Sequence, residues 1–270
     1  MNIGDIGQMN IHLINLDKDA DRLDWMTRQL ADRGLAFRRQ RGIAPAAGLT
    51  AEQRRFATDP KRSGLRPGEV GTLLSHMSVW QTIAVGDAPF GLVLEDDLHL
   101  APDFGDFVRQ IRLDPSEICV HRFETFLPRV TLARRPQFRC GARSAHRLYT
   151  NHGGAGAYAT NRDTARYLLD RAGSVSHAVD VELFDPERRA LKDLVVYQWM
   201  PAPCIQDMHL CDARKLDLQS NNVERQDIDT GVLRADDTGT LRDWLRPAYT
   251  RLYDMMLMPS GKARRLVRFG

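Results

Sequence analysis

Residues 90–100 read Phe-Gly-Leu-Val-Leu-Glu-Asp-Asp-Leu-His-Leu, and this stretch decides the fold. An apolar run without polar alternation fits a central strand buried on both faces. It stops at three adjacent carboxylates, Glu95, Asp96 and Asp97, which repel one another and call for cations or solvent. In α/β proteins ligands gather beyond the carboxyl ends of the strands, so this strand end is a candidate site. A hard divalent ion, Mg²⁺ or Mn²⁺, takes oxygen from one or two carboxylates plus substrate phosphates. Alternate residues of an extended segment point the same way, so Glu95 and Asp97 can face one ion while Asp96 turns aside. A solvated acidic turn is the alternative.

Upstream, residues 69–86 predict a helix with a buried stripe of Leu73, Met77, Trp80 and Ala84. Residues 44–68 read as a loop-rich insertion, with Pro60 and Pro67 bracketing its end. Residues 9–16 predict a buried strand, and residues 17–34 a helix that Gly34 closes. Residues 36–41 fit another strand. Strand alternating with helix argues for an α/β domain with a mostly parallel sheet. Downstream, residues 152–172 read as a glycine-rich strand, a cap at Thr160 with Asp163 three residues on, and a helix. Residues 194–206 predict a further strand ended by prolines. Residues 224–240 are a polar linker, and 241–258 are amphipathic.

The chain has 270 residues, of which 43% are hydrophobic and 27% charged, a balance that excludes a disordered tail or a fibrous repeat. No apolar stretch approaches the ~20 residues of a membrane span, and the start lacks the pattern of a secretory signal. Cys119, Cys140, Cys204 and Cys211 form no CxxC pair, which fits a reducing cytosol. Charge is unevenly placed. Residues 259–270 carry Lys262, Arg264, Arg265 and Arg268 without an acid, and removing those four cations takes the net charge from +3 to −1. A second acid-free run holds Arg129, Arg134, Arg135, Arg139, Arg143 and Arg147. Such runs suit phosphates, nucleic acid or an anionic membrane face; solvated loops are the plainer reading.

Four segments in order, INLDKDADR, PGEVGTLLSHMSVWQ, LVLEDDLHLAPDF and HGGAGAYATNRDTARYLL, closely resemble glycosyltransferase family 25. The resemblance runs from about residue 9 to 222. It implies a GT-A-like, Rossmann-type sheet flanked by helices, with a short helical C-terminal extension. The domains are then a GT-A-like catalytic domain at 1–223, the polar linker at 224–240 and an amphipathic helical and basic tail at 241–270. It also implies a UDP-sugar donor, Mn²⁺ or Mg²⁺ at the Glu95-Asp96-Asp97 segment, and a glycan or lipid-linked oligosaccharide acceptor. No nucleic-acid partner is expected. The setting is cytoplasmic, peripheral on the inner face of the inner membrane.

Residue by residue, the resemblance assigns donor contacts to Asn15, Asp17, Arg22, Ser75, His76, Asp96 and Gly154. The plainer readings are a turn Asn, an N-cap Asp, an exposed Arg and a core His. Glu95, Asp97 and His209 would hold the metal; a lone loop His is the alternative for His209. Asp180 is the candidate base for an inverting transfer, with Glu182 and Asp185 as rivals. Arg122 and Glu124 match a family strand pattern, or form a cross-strand ion pair. Gly153, Gly154 and Gly156 let backbone approach the sugar. The leading function is transfer of a hexose, galactose from UDP-galactose, to lipopolysaccharide or lipooligosaccharide. A nucleotide-sugar-binding protein with degenerate chemistry, or a Mg²⁺-dependent phosphohydrolase, is the alternative.

Overall fold

A computed structural model of the chain describes residues 9–210, 215, 216, 218 and 260–270. The expected linker at 224–240, the amphipathic segment at 241–258 and Cys211 lie outside the described residues. The chain opens with β1 (Met9–Asn15), α1 (Ala20–Asp32) and β2 (Arg38–Arg41). Gly34 closes α1 as expected: at φ 62° its N–H reaches the Ala31 carbonyl, while the Leu35 N–H reaches that of Leu30. The 44–68 segment is more ordered than a loop. Thr50 and Gln53 form a reciprocal capping box for α2 (Ala51–Ala57), flanked by 3-10 turns at Pro45–Ala47 and Pro60–Arg62. The next helix, α3 (Pro67–Val85), begins two residues before Glu69, because Pro67 occupies its first turn and Glu69 accepts the Arg66 N–H.

Then follow β3 (Phe90–Glu95), β4 (Leu98–Leu100), α4 (Phe104–Gln110), β5 (Cys119–Arg122), β6 (Glu124–Thr125) and β7 (Arg129–Ala133). After them come β8 (Phe138–Cys140), β9 (Arg143–Arg147), β10 (Ala157–Asn161), α5 (Arg162–Asp170) and α6 (Val179–Phe184). The remaining strands are β11 (Val195–Met200), β12 (Cys204–Gln206) and β13 (Lys262–Leu266).

Among the described residues the main sheet has eight strands in the order β2-β1-β3-β10-β5-β11-β9-β8. Only β10 and β9 oppose the common direction, so the sheet is mostly parallel and flanked by helices, as expected. Alternation along β3 feeds two cores. Phe90, Leu92 and Leu94 pack with Met26 and Leu30 of α1 and Phe104 and Phe107 of α4. Val93 faces the other way, toward Leu73, Trp80 and Ile83 of α3 and Leu168 of α5. Each such fully buried aliphatic or aromatic side chain contributes about 1.5–3 kcal/mol. Gly91 lets α3 approach closely: a Cβ there would stand 2.3 Å from Ile83 Cγ1. Met77 lies only partly buried at the edge of this layer, whereas the rest of the expected stripe is buried.

Three other expectations need correction. Thr160 is buried inside β10, where its hydroxyl meets the Cys119 carbonyl, and Asn161 caps α5 by accepting the Thr164 N–H at 2.6 Å. Residues 194–206 divide into β11 and β12, which belong to different sheets. The basic end is not a trailing tail. As β13 it pairs antiparallel with β7, Val267 is fully buried, and the Ala202 N–H donates to the Arg268 carbonyl at 2.7 Å. Without β13, β7 would present unpaired backbone groups along its edge.

Candidate active site

The parallel pair β1 and β3 ends at one edge of the sheet, with Ile14 in register with Glu95. The start of β10 reaches the same edge, where the Glu95 N–H donates to the Gly156 carbonyl at 2.8 Å. A cleft of about 290 Å³ opens there. Asn15, Arg22, Ser75, Glu95, Asp96 and Asp97 line one part of it, and Gly154 and Asp180 another. Eight of the eleven expected site residues therefore share one cleft. Asp17, His76 and His209 are not on its walls.

The acidic edge is buried and short of cations. Asp96 accepts from Asn15 Nδ2 at 2.7 Å and from Arg22 Nη1 at 2.9 Å. Burial still pushes its carboxyl up to about 6. Asp97 receives Arg22 Nη2 at 3.3 Å. Burial, then the neighbouring Glu95 charge, push Asp97 up to about 7. Its Oδ1 is buried and has no hydrogen-bond partner among the described residues. One guanidinium thus serves two carboxylates. Asn15 has no spare side-chain hydrogen: its amide also donates to the Asp19 carbonyl, and its oxygen accepts from Arg39. Asn15 therefore sets Asp96 rather than reaching into the cleft. The Ser75 hydroxyl is similarly engaged, accepting from Ile43 N and donating to the Gly71 carbonyl.

His76 acts from behind the wall. Trp80 Nε1 can only donate, and it donates to Tyr158 Oη at 2.7 Å. The Tyr158 O–H then donates to His76 Nδ1 at 2.8 Å, which leaves the His76 proton on Nε2, aimed at Glu95 Oε1 3.2 Å away. Burial raises the Tyr158 phenol far above its ordinary value and keeps it a donor. Gln206 Nε2 holds the other Glu95 oxygen at 2.9 Å. Sequence reasoning missed Trp80, Tyr158 and Gln206 as supports of Glu95. A glutamine at the end of the apolar strand 194–206 was the available signal.

Another part of the cleft is built from backbone. Gly154 has φ 85°, and a Cβ there would fall 2.1 Å from the Phe126 ring, so glycine is required. Its N–H donates to Asp180 Oδ2 at 3.0 Å, and Asp180 Oδ1 accepts the Val181 N–H at 3.0 Å. Below this loop, buried Arg122 donates to the carbonyls of Gly153 and Gly154, while Glu124 accepts the Gly156 N–H at 2.8 Å. Burial lowers Arg122 to about 10 and raises Glu124 to about 8. The pair lies two residues apart along the chain, with its charged atoms 3.5 Å apart, and clamps the glycine loop rather than bridging two neighbouring strands. Glu182 and Asp185, the rival bases, are buried and take backbone N–H groups: Ser176, His177 and Ala190 for Glu182, and Glu187 and Arg188 for Asp185.

Asp17 is exposed and ion-paired to Arg39 at 2.8 Å and Arg41 at 2.6 Å. The His209 ring lies against Phe126, centroids 3.7 Å apart. Among the described residues no group of three His, Cys, Asp or Glu side chains is arranged to hold a metal ion. The open Asp97 oxygen and the shortage of positive charge nevertheless fit a divalent cation whose remaining ligands come with a phosphate-bearing substrate.

A mostly parallel α/β sheet with a carboxylate-edged cleft at its strand ends defines an α/β protein of the kind that gathers its ligand beyond the strand ends. The model described as Glycosyltransferase family 25 (LPS biosynthesis protein) matches residues 8–183, well over half of the chain, and the chain belongs to that family. It is 28% identical over 174 residues to the lipooligosaccharide biosynthesis protein lex-1 of Haemophilus influenzae, covering 60% of this chain and 57% of that protein. It is 26% identical to the lacto-N-neotetraose biosynthesis glycosyltransferase LgtE of Neisseria meningitidis serogroup B, covering 74% and 75% of the two chains. A solved glycosyltransferase involved in glycosylation of the major capsid of PBCV-1 aligns with TM-score 0.31 at 11% identity, covering 61% of this chain and 63% of that one.

Proposed function

We propose that this protein is an inverting, metal-assisted hexosyltransferase that moves galactose from UDP-galactose to a lipooligosaccharide or other glycan acceptor. The observation that carries the reading is the under-neutralised acidic edge, with the open Asp97 oxygen, sharing one cleft with Asp180 in a family 25 chain. The names of the two curated relatives support the acceptor class.

In this reading Asp97 and Glu95 hold Mn²⁺ or Mg²⁺, which when bound neutralises the departing diphosphate. Asp96 and Asn15 fix the edge, and Arg22, already between two carboxylates, is the side chain free to turn one N–H toward phosphate. The Trp80–Tyr158–His76 chain keeps Glu95 aimed. Asp180 takes the acceptor hydroxyl proton. Each of its oxygens accepts one backbone N–H and retains a second lone pair for that proton. Gly154, packed under the Phe126 ring, holds Asp180 in the cleft through its backbone N–H. An acceptor carried on lipid would put the protein at the cytoplasmic face of the inner membrane. No helix among the described residues is long and apolar enough to cross a membrane.

The test is a panel of UDP- and GDP-sugars, with and without Mn²⁺, read first by thermal shift, because a ligand that binds only the folded state stabilises it by mass action. The panel is then read by release of free UDP with glycan acceptors. A metal-dependent shift with UDP-galactose and acceptor-dependent UDP release are expected. Release of inorganic phosphate without acceptor would instead identify a phosphohydrolase, and binding without turnover a degenerate nucleotide-sugar-binding protein.

A further inference from the structure

Two basic runs more than a hundred residues apart in sequence meet in one place. The β7–β13 pair sets Arg129 opposite Leu266 and Ala133 opposite Lys262. Lys262 Nζ stands 4.2 Å over the Tyr149 ring, which Arg147 also flanks at 5.6 Å. Arg265 Nη2 donates to the Arg134 carbonyl. Arg129, Arg134, Arg135, Arg139, Arg147 and Arg268 are exposed, and none of them forms an ion pair with a carboxylate among the described residues.

A second, independent feature lies at the same edge. Among the described residues five large apolar side chains are exposed, and four of them, Leu127, Met208, Leu216 and Leu266, sit on segments tied together by hydrogen bonds and one ring contact. Thr125 Oγ1 donates to the Val267 carbonyl and accepts the Leu127 N–H, tying Leu127 to the end of β13. Met208 precedes His209, whose ring lies on Phe126, beside Leu127. Leu216 N donates to Asp207, which adjoins Met208. Alternation along β13 sends Leu266 to the same face as Lys262 and Arg264. Met208 also lines the cleft, so this apolar rim abuts its mouth.

We propose that the face formed by β7, β13 and the 126–129 turn docks on an anionic phospholipid bilayer. Leu127, Leu266 and Met208 enter the headgroup boundary, while Arg129, Arg135, Lys262 and Arg268 meet the lipid phosphates. A single phosphate would call for donors converging on a pocket, and these cations are spread along two strands. A nucleic acid would use the cations but leave the aliphatic rim in water. Exposed aliphatic groups ringed by cations suit the polar–apolar boundary of a membrane surface. The inference deepens the reading above, since it brings the cleft mouth to a membrane-seated acceptor.

The test is sedimentation of the full chain with phosphatidylcholine vesicles, with and without phosphatidylglycerol, in the absence of donor, acceptor and divalent ion. A failure of the transferase reading therefore leaves this outcome standing. Partitioning should need phosphatidylglycerol and collapse at about 0.5 M salt. Arg129→Glu/Arg135→Glu/Arg268→Glu should lower it at least about tenfold. Leu127→Asn/Leu266→Ser should lower it several-fold at low salt. Leu127 has φ 60°, a conformation that asparagine tolerates better, so this second variant keeps the fold. Equal binding to both vesicle types, or parent-like binding by either variant, would overturn the proposal.

Discussion

The cleft's acidic edge and the β7–β13 flank are opposite answers to the same electrostatic problem. At the edge, carboxylates are buried and share one guanidinium, and two of them are pushed up to about 6 and about 7. On the flank, cations are exposed and form no ion pair with an acid among the described residues. Water screens the flank, so its excess charge costs little locally and acts only on a large anionic partner. Water screens the largely buried edge far less, so each missing counter-charge there weighs more heavily. Burial and partner shortage, rather than charge alone, should therefore rank the functional effects of substitution.

Asp97→Asn should have the largest effect. It removes the buried carboxylate with the open oxygen, so transfer should fall below detection and Mn²⁺-dependent UDP binding should weaken at least about a hundredfold. Stability should move the other way. An acid whose folded pKa lies near 7, above its ordinary 3.8, weakens the native state as pH rises through that interval. The metal-free variant should therefore melt at or above the parent at pH 8. A variant that melts lower, with unchanged metal-dependent UDP affinity, would remove Asp97 from the site and break the contrast.

Asp180→Asn sharpens it, because this carboxylate sits in the cleft yet already accepts two backbone N–H groups. Donor affinity should hold while kcat falls by ~10²–10⁴, the usual contribution of a general base. A loss under about tenfold would exclude Asp180 as the base. His76→Asn comes next. It cuts the chain from Trp80 through Tyr158 to Glu95 without touching the cleft, and should cost about 10–100-fold in Mn²⁺ affinity, as supporting residues behind metal ligands do. A normal metal titration with a lowered melting temperature would make His76 a packing residue only.

What the sequence made legible follows from which interactions are local. The buried run 90–94 and its three acids sit in one segment, so strand, edge and chemistry were readable together. Asn15 and Arg22 were readable as neighbours of β1, but their engagement with Asp96 required the parallel pairing of β1 with β3. Tyr158 and Gln206 reach the Glu95 network from elements more than sixty residues away, and an inward-pointing polar side chain on an apolar strand does not announce its partner. The basic end misled for the same reason. KARRL reads as a solvated charge run, and only the open edge of β7, set by distant folding, turns it into a strand.

The smallest effect belongs to Asp17, and it tests the ranking most directly. Family resemblance assigned it to the donor together with Asn15, two residues away. β1 ends at Asn15 and the chain turns at Asp17, which separates the two: Asn15 is buried, while Asp17 lies exposed between Arg39 and Arg41 of β2. Hydrogen bonding from Arg39 holds its carboxyl below the usual range, as for an exposed ion pair with ample counter-charge. Such pairs contribute little, because water and salt compete for both partners. Asp17→Asn should therefore leave UDP-sugar affinity and kcat within about twofold of the parent at physiological salt. Calorimetric titration of the donor checks this. A tenfold loss of donor affinity would mean that Asp17 leaves its arginines when substrate arrives, and that exposure in the empty cleft does not rank its residues.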